Sequence, residues 1–187
     1  MPSKPIILQE PAYYVKNSAI HGRGLYASRD IRKGERVVEY VGEKVTKAES
    51  DRRGKELIAK SKMTGGGAVY MFVLNKNFDI DGNVEHNDAR LMNHSCDPNC
   101  EAEIIRGHIW YSAIKDVAEG EELSLNYGFT MEDWEGHQCR CGTHRCVGYI
   151  VAEEHWPKLR RELNKKNQAA QRSPLPPRKV RKRTQRI

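Results

Sequence analysis

The five cysteines of this chain fall into two short clusters, and their spacing constrains the fold more than any other feature. Two lie in "NHSCDPNC", residues 93–100, and three lie in "CRCGTHRC", residues 139–146. A structural zinc site takes four ligands in a tetrahedron. The second cluster supplies three thiolates, so a fourth ligand must come from elsewhere, and Cys96 or Cys100 can provide it. Such a site ties the C-terminal part of the chain to its middle.

Other interpretations of the cysteines stay open at this point. Thiols stay reduced inside cells, so clustered cysteines there are more often metal ligands or reactive groups than disulfides. The Cys-x-Cys pair of Cys139 and Cys141 could serve redox chemistry, although no adjacent motif indicates thiol transfer. His94, His137 and His144 are near enough in sequence to act as ligands. The residues alone do not choose among these candidates.

Composition indicates one soluble domain. The 187 residues are 38% hydrophobic and 30% charged, which is enough to bury one sizeable core. No apolar run approaches the roughly 18 residues that a membrane span requires. Residues 1–10 also lack the basic-then-apolar order of a signal peptide. We therefore expect an intracellular protein without a membrane segment.

The net charge of +7 divides into two unlike parts. Residues 158–187 hold 12 Lys and Arg against one acid, a charge of +11, which leaves −4 for residues 1–157. The stretch after Leu163 has almost no large apolar residues and contains a proline cluster. We therefore predict a disordered basic tail over residues 165–187. Its "RKVRKR" run is typical of a nuclear-import patch, and the alternative is a solvated tail with no partner.

Hydrophobic patterning predicts a mainly β fold with few helices. β-branched and apolar segments bounded by turn residues predict strands at residues 37–41, 107–114 and 122–127. Thr46 and Glu49 form a capping box at the start of a helix that continues through "KAESDRRGKELIAKSK". The "TGGGA" stretch that follows is predicted to be a loop, and a last short helix is predicted over residues 155–164.

Five motifs in order resemble the SET-domain protein lysine methyltransferases that carry a post-SET zinc segment. The motifs are "HGRGLYASRDIRKGERVVEYVGE", "YMF", "DARLMNHSCDPNC", "GEELSLNYGF" and "CRCGTHRC". Within the family, the chain is most similar to the mixed-lineage-leukaemia and trithorax type. The resemblance implies small curved β-sheets in which a C-terminal segment threads a loop near Asn93 like a pseudoknot. It implies a SET domain at residues 12–130, a post-SET zinc segment at 135–151 and a short C-terminal helix at 152–164.

The resemblance also implies which residues form the site. The family's methyl donor is S-adenosylmethionine, and the positions implied to bind it are His21, Arg23, Tyr70, Asn93, His94 and Arg140. The implied ligands of one structural zinc ion are Cys96, Cys139, Cys141 and Cys146, which leaves Cys100 as a core thiol. Tyr127 takes the position of the catalytic tyrosine, and whether it accepts a proton stays open. Leu125 stands where relatives usually carry Phe or Tyr, so we expect a product beyond monomethyl-lysine.

The implied reaction is methylation of a lysine side chain in a protein. Relatives of this type modify histone tails, so we expect a histone or another basic, nucleic-acid-associated protein as substrate, with non-specific DNA or RNA contacts through the tail. The expected location is the nucleus and chromatin in a eukaryote or a host cell, and otherwise the cytoplasm or nucleoid. The alternative is a catalytically weak SET and zinc scaffold that binds nucleic acid or chromatin through its basic tail.

Overall fold

The structure is a computed structural model that describes residues 10–64, 70–132 and 134–172. Within these ranges the chain forms ten strands and two α-helices, as expected for a mainly β fold. The strands are β1 (Tyr13–Asn17), β2 (Arg23–Ala27), β3 (Arg36–Tyr40), β4 (Glu43–Thr46), β5 (Met71–Val73), β6 (Phe78–Asp81), β7 (Asn93–His94), β8 (Cys100–Ile105), β9 (His108–Ala113) and β10 (Glu122–Leu125). The helices are α1 (Lys47–Thr64) and α2 (Trp156–Arg172).

The strands form three small sheets. The first has the strand order β1, β2, β10, β7, in which β10 runs antiparallel to β2 and parallel to β7. The second has the order β3, β9, β8, and the third has the order β4, β6, β5, both antiparallel. The three strands predicted from sequence are confirmed as β3, β9 and β10. The parallel pair of β7 and β10 sets two distant segments side by side at the edge of the first sheet.

One apolar cluster packs between the sheets as the main core. Its fully buried members include Leu25, Ile31, Met92, Ile109 and Leu123. The rings of Tyr40, Phe72 and Tyr111 also pack together, with centroids 5.4–6.2 Å apart. Burial of this apolar surface supplies most of the driving force for folding the sheets.

The start of α1 agrees with the sequence prediction. Thr46 Oγ1 accepts a hydrogen bond from the Glu49 N–H at 3.3 Å, which is half of the predicted capping box. Among the α1 side chains that the structure describes, Ser50 alone is buried. Arg53 instead ties the helix to the third sheet through ion pairs with Glu43 and Asp81 at 2.7 and 2.8 Å. Residues 65–68 of "TGGGA" lie outside the described residues.

Helix α2 is longer than the sequence prediction. It runs from Trp156 to Arg172, beyond the predicted end at Asn164. Leu159 is fully buried in a second, smaller cluster with Trp134 and Val151. The extra turns consist of Lys, Asn, Gln, Ala and Arg. They lack the large apolar residues used to recognise a helix but include strong helix formers. Residues 173–187 of the predicted tail lie outside the described residues.

Among the helices that the structure describes, none is long and apolar enough to cross a membrane.

Candidate active site

Strands β7 and β10 bring the "NHS" motif next to the segment that leads to Tyr127. Asn93 pairs with Ser124, and His94 pairs with Leu125. The chain leaves β10 and places the Tyr127 N–H against His94 Nδ1 at 3.2 Å. The His94 and Tyr127 rings meet edge to face, with centroids 5.4 Å apart. Residues far apart in sequence therefore form one hydrogen-bonded unit.

The Tyr127 hydroxyl points inward although the residue as a whole is 40% exposed. It donates a hydrogen bond to the Met92 carbonyl at 2.9 Å. Burial is the largest of the effects that raise the pKa of Tyr127 to about 12, and the nearby Tyr70 acts in the same direction. These effects favour a protonated hydroxyl at neutral pH, which can donate a hydrogen bond.

His94 connects Tyr127 to the cysteine cluster. Burial lowers the pKa of His94 to about 4, so the ring is neutral at physiological pH. Its Nδ1 accepts the Tyr127 N–H, which leaves the ring proton on Nε2. Nε2 lies 3.6 Å from Cys96 Sγ. The ring is thus fixed from both sides and cannot rotate without losing a partner.

Four cysteine sulfurs form a compact group. The Sγ atoms of Cys96, Cys139, Cys141 and Cys146 all lie within 4.8 Å of one another, and Cys96 Sγ lies 3.7 Å from Cys139 Sγ. Four thiolates around one zinc ion at about 2.3 Å would stand roughly 3.8 Å apart. The cluster therefore fits a tetrahedral zinc site.

The structure separates the two candidates for the fourth ligand. Cys96 lies in the group of sulfurs. Cys100 begins β8, is 1% exposed and packs in the main core, where burial raises the pKa of its thiol to about 12. In the described part of the chain, neither His137 nor His144 belongs to the potential ligand group.

Asn93 joins β7 to the loop that carries the "HGRG" motif. Its Nδ2 donates to the carbonyls of His21 at 3.2 Å and Arg23 at 3.1 Å, and to Glu122 Oε1 at 2.9 Å. Asn93 is buried, whereas His21 and Arg23 are exposed. Asn93, His94 and Tyr127 thus share a site with the backbone of the 21–23 loop.

The sequence pattern of the family described as "SET domain" matches residues 22–128, which is more than half of the chain. The chain belongs to the SET-domain family. The small sheets, the parallel β7 and β10 pair and the four-cysteine cluster after the SET domain all agree with the fold implied by the motifs.

The relatives are histone-lysine methyltransferases by name. Trithorax of Drosophila virilis is 39% identical over 140 residues, which cover 73% of this chain and 4% of that protein. Human histone-lysine N-methyltransferase 2B is 39% identical over 141 residues, 73% of this chain and 5% of the relative. The H3 lysine-4 specific enzyme of Saccharomyces cerevisiae is 37% identical over 148 residues, which cover 76% of this chain and 13% of that protein. The resemblance to the trithorax type is confirmed, and this chain spans a small part of the length of each relative.

Two of the residues singled out from sequence, Tyr70 and Arg140, make no hydrogen bond to Asn93, His94 or Tyr127 among the described residues. Leu125 is buried at the end of β10 and pairs with His94. Tyr70 is half-buried, and its carbonyl accepts the Tyr40 hydroxyl at 2.6 Å. Arg140 is exposed between two cysteines of the cluster, and among the described residues no hydrogen bond or ion pair holds its side chain.

Sequence reasoning missed two residues that contact the candidate site. The Arg90 guanidinium lies 5.5 Å from the Tyr70 ring centroid, and its buried Nε has no hydrogen-bond partner among the described residues. Nothing in the sequence distinguishes Arg90 from the many surface cations. Glu122 contacts Asn93 directly. Glu122 did carry a signal in the sequence, because it is an acidic residue at the start of the predicted strand at 122–127. Two residues of that strand, Leu123 and Leu125, are buried in the structure.

Proposed function

We propose that this chain transfers a methyl group from S-adenosylmethionine to a lysine side chain of a histone or another basic, nucleic-acid-associated protein. One observation carries the proposal: the Tyr127 N–H, the neutral His94 ring and Cys96 form a continuous chain of contacts. It links the candidate catalytic tyrosine to the candidate zinc cluster. Family membership and the names of the relatives support the same reaction.

The cofactor site proposed here consists of the six residues implied by the motifs. S-adenosylmethionine supplies a methyl group activated on a positive sulfonium. The residues proposed to hold it are His21, Arg23, Tyr70, Asn93, His94 and Arg140. The contacts of Asn93 with the 21–23 loop support this assignment for one side of the site. The exposed Arg140 is free to close over the bound cofactor from the cysteine segment.

Tyr127 is proposed to position the substrate amine. A lysine amine has an ordinary pKa near 10.4, so it must lose its proton before it can attack the methyl group. A dry channel favours the neutral amine because burial disfavours the charged form. The buried hydroxyls of Tyr40 and Tyr111 lie near Tyr127, and burial raises the pKa of both. A protonated Tyr127 hydroxyl, fixed by the Met92 carbonyl, orients the amine without taking its proton.

Leu125 is proposed to let the product exceed monomethyl-lysine. Its side chain carries no hydroxyl and is smaller than the Phe or Tyr usual at this position in the family. A methylated amine therefore has room to turn and react again. Mass spectrometry of a modified histone peptide tests this directly. A product that stops at monomethyl-lysine contradicts it, and Leu125→Tyr is expected to shift the wild-type product toward monomethylation.

The substrate is proposed to be a histone tail. The charge of −4 over residues 1–157 favours a peptide rich in lysine and arginine. The yeast relative is named H3 lysine-4 specific, which makes histone H3 the first substrate to test. A nuclear, chromatin-bound location follows if the chain acts in a eukaryotic cell, and a basic cytoplasmic or nucleoid protein is the target otherwise.

The basic C-terminal part is proposed to contact DNA or RNA through phosphates. Lys158, Arg161 and Lys165 are exposed and lie three and four residues apart, so they share one face of α2. Leu159 and Leu163 pack on a different side of the helix. The sequence continues into the strongly basic residues 173–187. Phosphate contacts of this kind weaken steeply with salt, so binding measured at two salt concentrations tests the proposal.

The decisive experiment measures methyl transfer from isotopically labelled S-adenosylmethionine to core histones, linker histone and a total protein extract. The whole 187-residue chain is compared with Tyr127→Phe. Label in a band that disappears with the variant, while zinc content and binding of S-adenosylhomocysteine are unchanged, supports the proposal. Absence of label from the wild type, despite bound cofactor and zinc, supports instead the scaffold that binds nucleic acid through its basic C-terminal part.

A further inference from the structure

Glu122 is the first residue of β10 and lies partly buried beside the loop at residues 18–23. We infer that Glu122 is the positioning residue for the amino-acid end of S-adenosylmethionine, acting through Asn93 and through the loop at residues 18–23. The inference rests on the proposed function, because it assigns a role in holding the methyl donor. It goes beyond that function in naming a residue that need not touch the donor.

The Glu122 carboxylate accepts hydrogen bonds from three donors. Oε1 accepts from Ser18 Oγ at 2.6 Å and from Asn93 Nδ2 at 2.9 Å. Oε2 accepts from the Tyr26 hydroxyl at 2.8 Å. An ionised carboxylate is an acceptor at both oxygens and can satisfy all three donors at once. Gly24 leaves the necessary room, since a Cβ there would stand 2.4 Å from Oε1.

Glu122 helps to fix which end of the Asn93 amide faces the protein, and it supplies the only charged one of the three acceptors that the amide has among the described residues. Three acceptors surround the amide, namely Glu122 Oε1 and the carbonyls of His21 and Arg23. Only the NH₂ group can bond to acceptors, so Nδ2 must face them and Oδ1 must turn away. In the described part of the chain, no donor bonds to Oδ1. The amino-acid end of the methyl donor carries an ammonium group, which needs an acceptor of this kind.

The same carboxylate fixes the loop between β1 and β2. Ser18 Oγ donates to Glu122 and accepts from the N–H groups of Ile20 and His21 at 2.9 and 3.4 Å. The Ser18 N–H donates to the Gly22 carbonyl at 2.8 Å. Removing the carboxylate therefore leaves the Ser18 hydroxyl without its acceptor and takes away one of the three acceptors that hold the Asn93 amide, so the loop and the amide are loosened together.

Two ligands separate positioning of the cofactor from general support of the sheet. S-adenosylhomocysteine carries the amino-acid end, whereas 5′-methylthioadenosine lacks it. Calorimetry on Glu122→Ala is expected to show S-adenosylhomocysteine binding weakened by about tenfold or more, the effect of losing one charge-assisted hydrogen bond. Binding of 5′-methylthioadenosine is expected to change by less than about twofold. Glu122→Gln keeps an oxygen acceptor for Ser18 and Asn93 and is expected to retain most of the affinity.

The matched control is Glu119→Ala, which removes an exposed acid from the turn before β10. It is expected to bind both ligands like the wild type. Equal weakening of both ligands by Glu122→Ala overturns the inference, and so does unchanged binding of both. If Glu122→Ala does not fold, Ser18→Ala removes only the link to the loop and is judged by the same criterion. A wild type that binds neither ligand overturns the proposed function itself, so the two failures are distinguishable.

Discussion

Two regions of the molecule are stabilised in different ways. The body, residues 12–125, packs 17 buried residues into one apolar cluster between three sheets. In the described part of the C-terminal segment, residues 134–172, the buried apolar residues are Trp134, Val151, Trp156 and Leu159, with partly buried residues packed around them. So small a core supplies little apolar burial to offset the entropy of ordering such a segment. The segment therefore depends on its four-cysteine group and on its contacts with the body.

Contacts between the regions lie near the candidate active site. Cys96 Sγ of the body lies 3.7 Å from Cys139 Sγ of the segment, and the Phe129 carbonyl, in the connection between the regions, accepts the Ala152 N–H at 2.8 Å. Arg145 adds an ion pair to Asp97 at 3.7 Å. We therefore expect the part of the molecule that carries Arg140 to open while the body stays folded. The difference between the regions becomes a difference in local stability that can be measured.

Removal of a cysteine of the cluster is the largest expected effect. Cys139→Ser is expected to abolish zinc binding, because a closed structural site needs all four thiolates. Methyl transfer is then expected to fall by more than about 100-fold. Hydrogen exchange is expected to lose protection across the C-terminal segment and to keep it in β2 and β9. Zinc analysis, labelled methyl transfer and hydrogen exchange on one preparation check these outcomes.

Cys100→Ser is the matched control for the cluster. This cysteine is buried in the body and lies outside the group of sulfurs. It is expected to keep the zinc content while lowering the stability of the body. If Cys139→Ser lost zinc but kept full protection over residues 134–172, the proposed dependence of the segment on metal would be wrong.

The next largest effect compares one leucine in each core. Leu159→Ala and Leu25→Ala each remove a fully buried side chain, and each is expected to cost about 2–5 kcal/mol. In the C-terminal segment, Leu159→Ala is expected to open α2 locally, so that only the amides of α2 exchange faster with solvent. In the body, Leu25→Ala is expected to lower the midpoint of global unfolding. Global unfolding of both variants at the same lowered midpoint would contradict the separation of the regions.

The sequence predicted these regions unequally. The body was recognisable because β3, β9 and β10 have β-branched or apolar runs between turn residues, and because Thr46 and Glu49 form a local capping signal. Local signals of this kind depend only on neighbouring residues. The predicted end of α2 at Asn164 was wrong because residues 165–172 lack the apolar residues that mark a helix in the sequence. In the structure, Leu159 anchors the first turns of α2, and the helix continues from there.

The candidate site depended on long-range contacts that no local pattern encodes. The choice of Cys96 over Cys100 came from the family resemblance, since both lie at similar distances from the second cysteine cluster in sequence. The bond between Ser18 and Glu122 joins residues 104 positions apart. Sequence does not decide whether Tyr127 accepts a proton, and only the structure shows the burial of its hydroxyl and the bond to the Met92 carbonyl, which favour the protonated form.

A smaller effect is expected at Arg145, which braces the C-terminal segment. Its guanidinium forms an ion pair with Glu153 and lies 5.4 Å from the Trp156 ring centroid. Arg145→Met keeps the aliphatic stem and removes the charge. The expected cost is about 1 kcal/mol, because the site is partly exposed. Amides in the first turns of α2 are expected to exchange about fivefold faster, in line with that cost.

Arg160→Met is the control for Arg145 because it removes an exposed cation of α2 that has no ion pair among the described residues. It is expected to leave exchange in α2 unchanged. Equal acceleration by both variants would mean that the net charge of the helix matters, and that the bracing contacts of Arg145 do not.

The smallest expected effect tests helix α1, an element of the body whose described side chains have little apolar burial. Helix α1 is held by ion pairs, and hydrogen bonds from Arg52 and Arg53 lower the pKa of Glu49 to about 2. The folded pKa lies below the ordinary value, so this contribution to stability is present above about pH 4.5 and is lost as the pH falls toward 2. Titration of the Glu49 carboxyl group by NMR is expected to show a midpoint near pH 2, and Arg53→Met is expected to raise that midpoint.

Because the ion pairs of α1 are exposed, 1 M salt is also expected to raise the titration midpoint of Glu49. A wild-type midpoint near 4.5 would mean that these ion pairs do not hold α1, and that the body is as loosely anchored there as the C-terminal segment is without its metal.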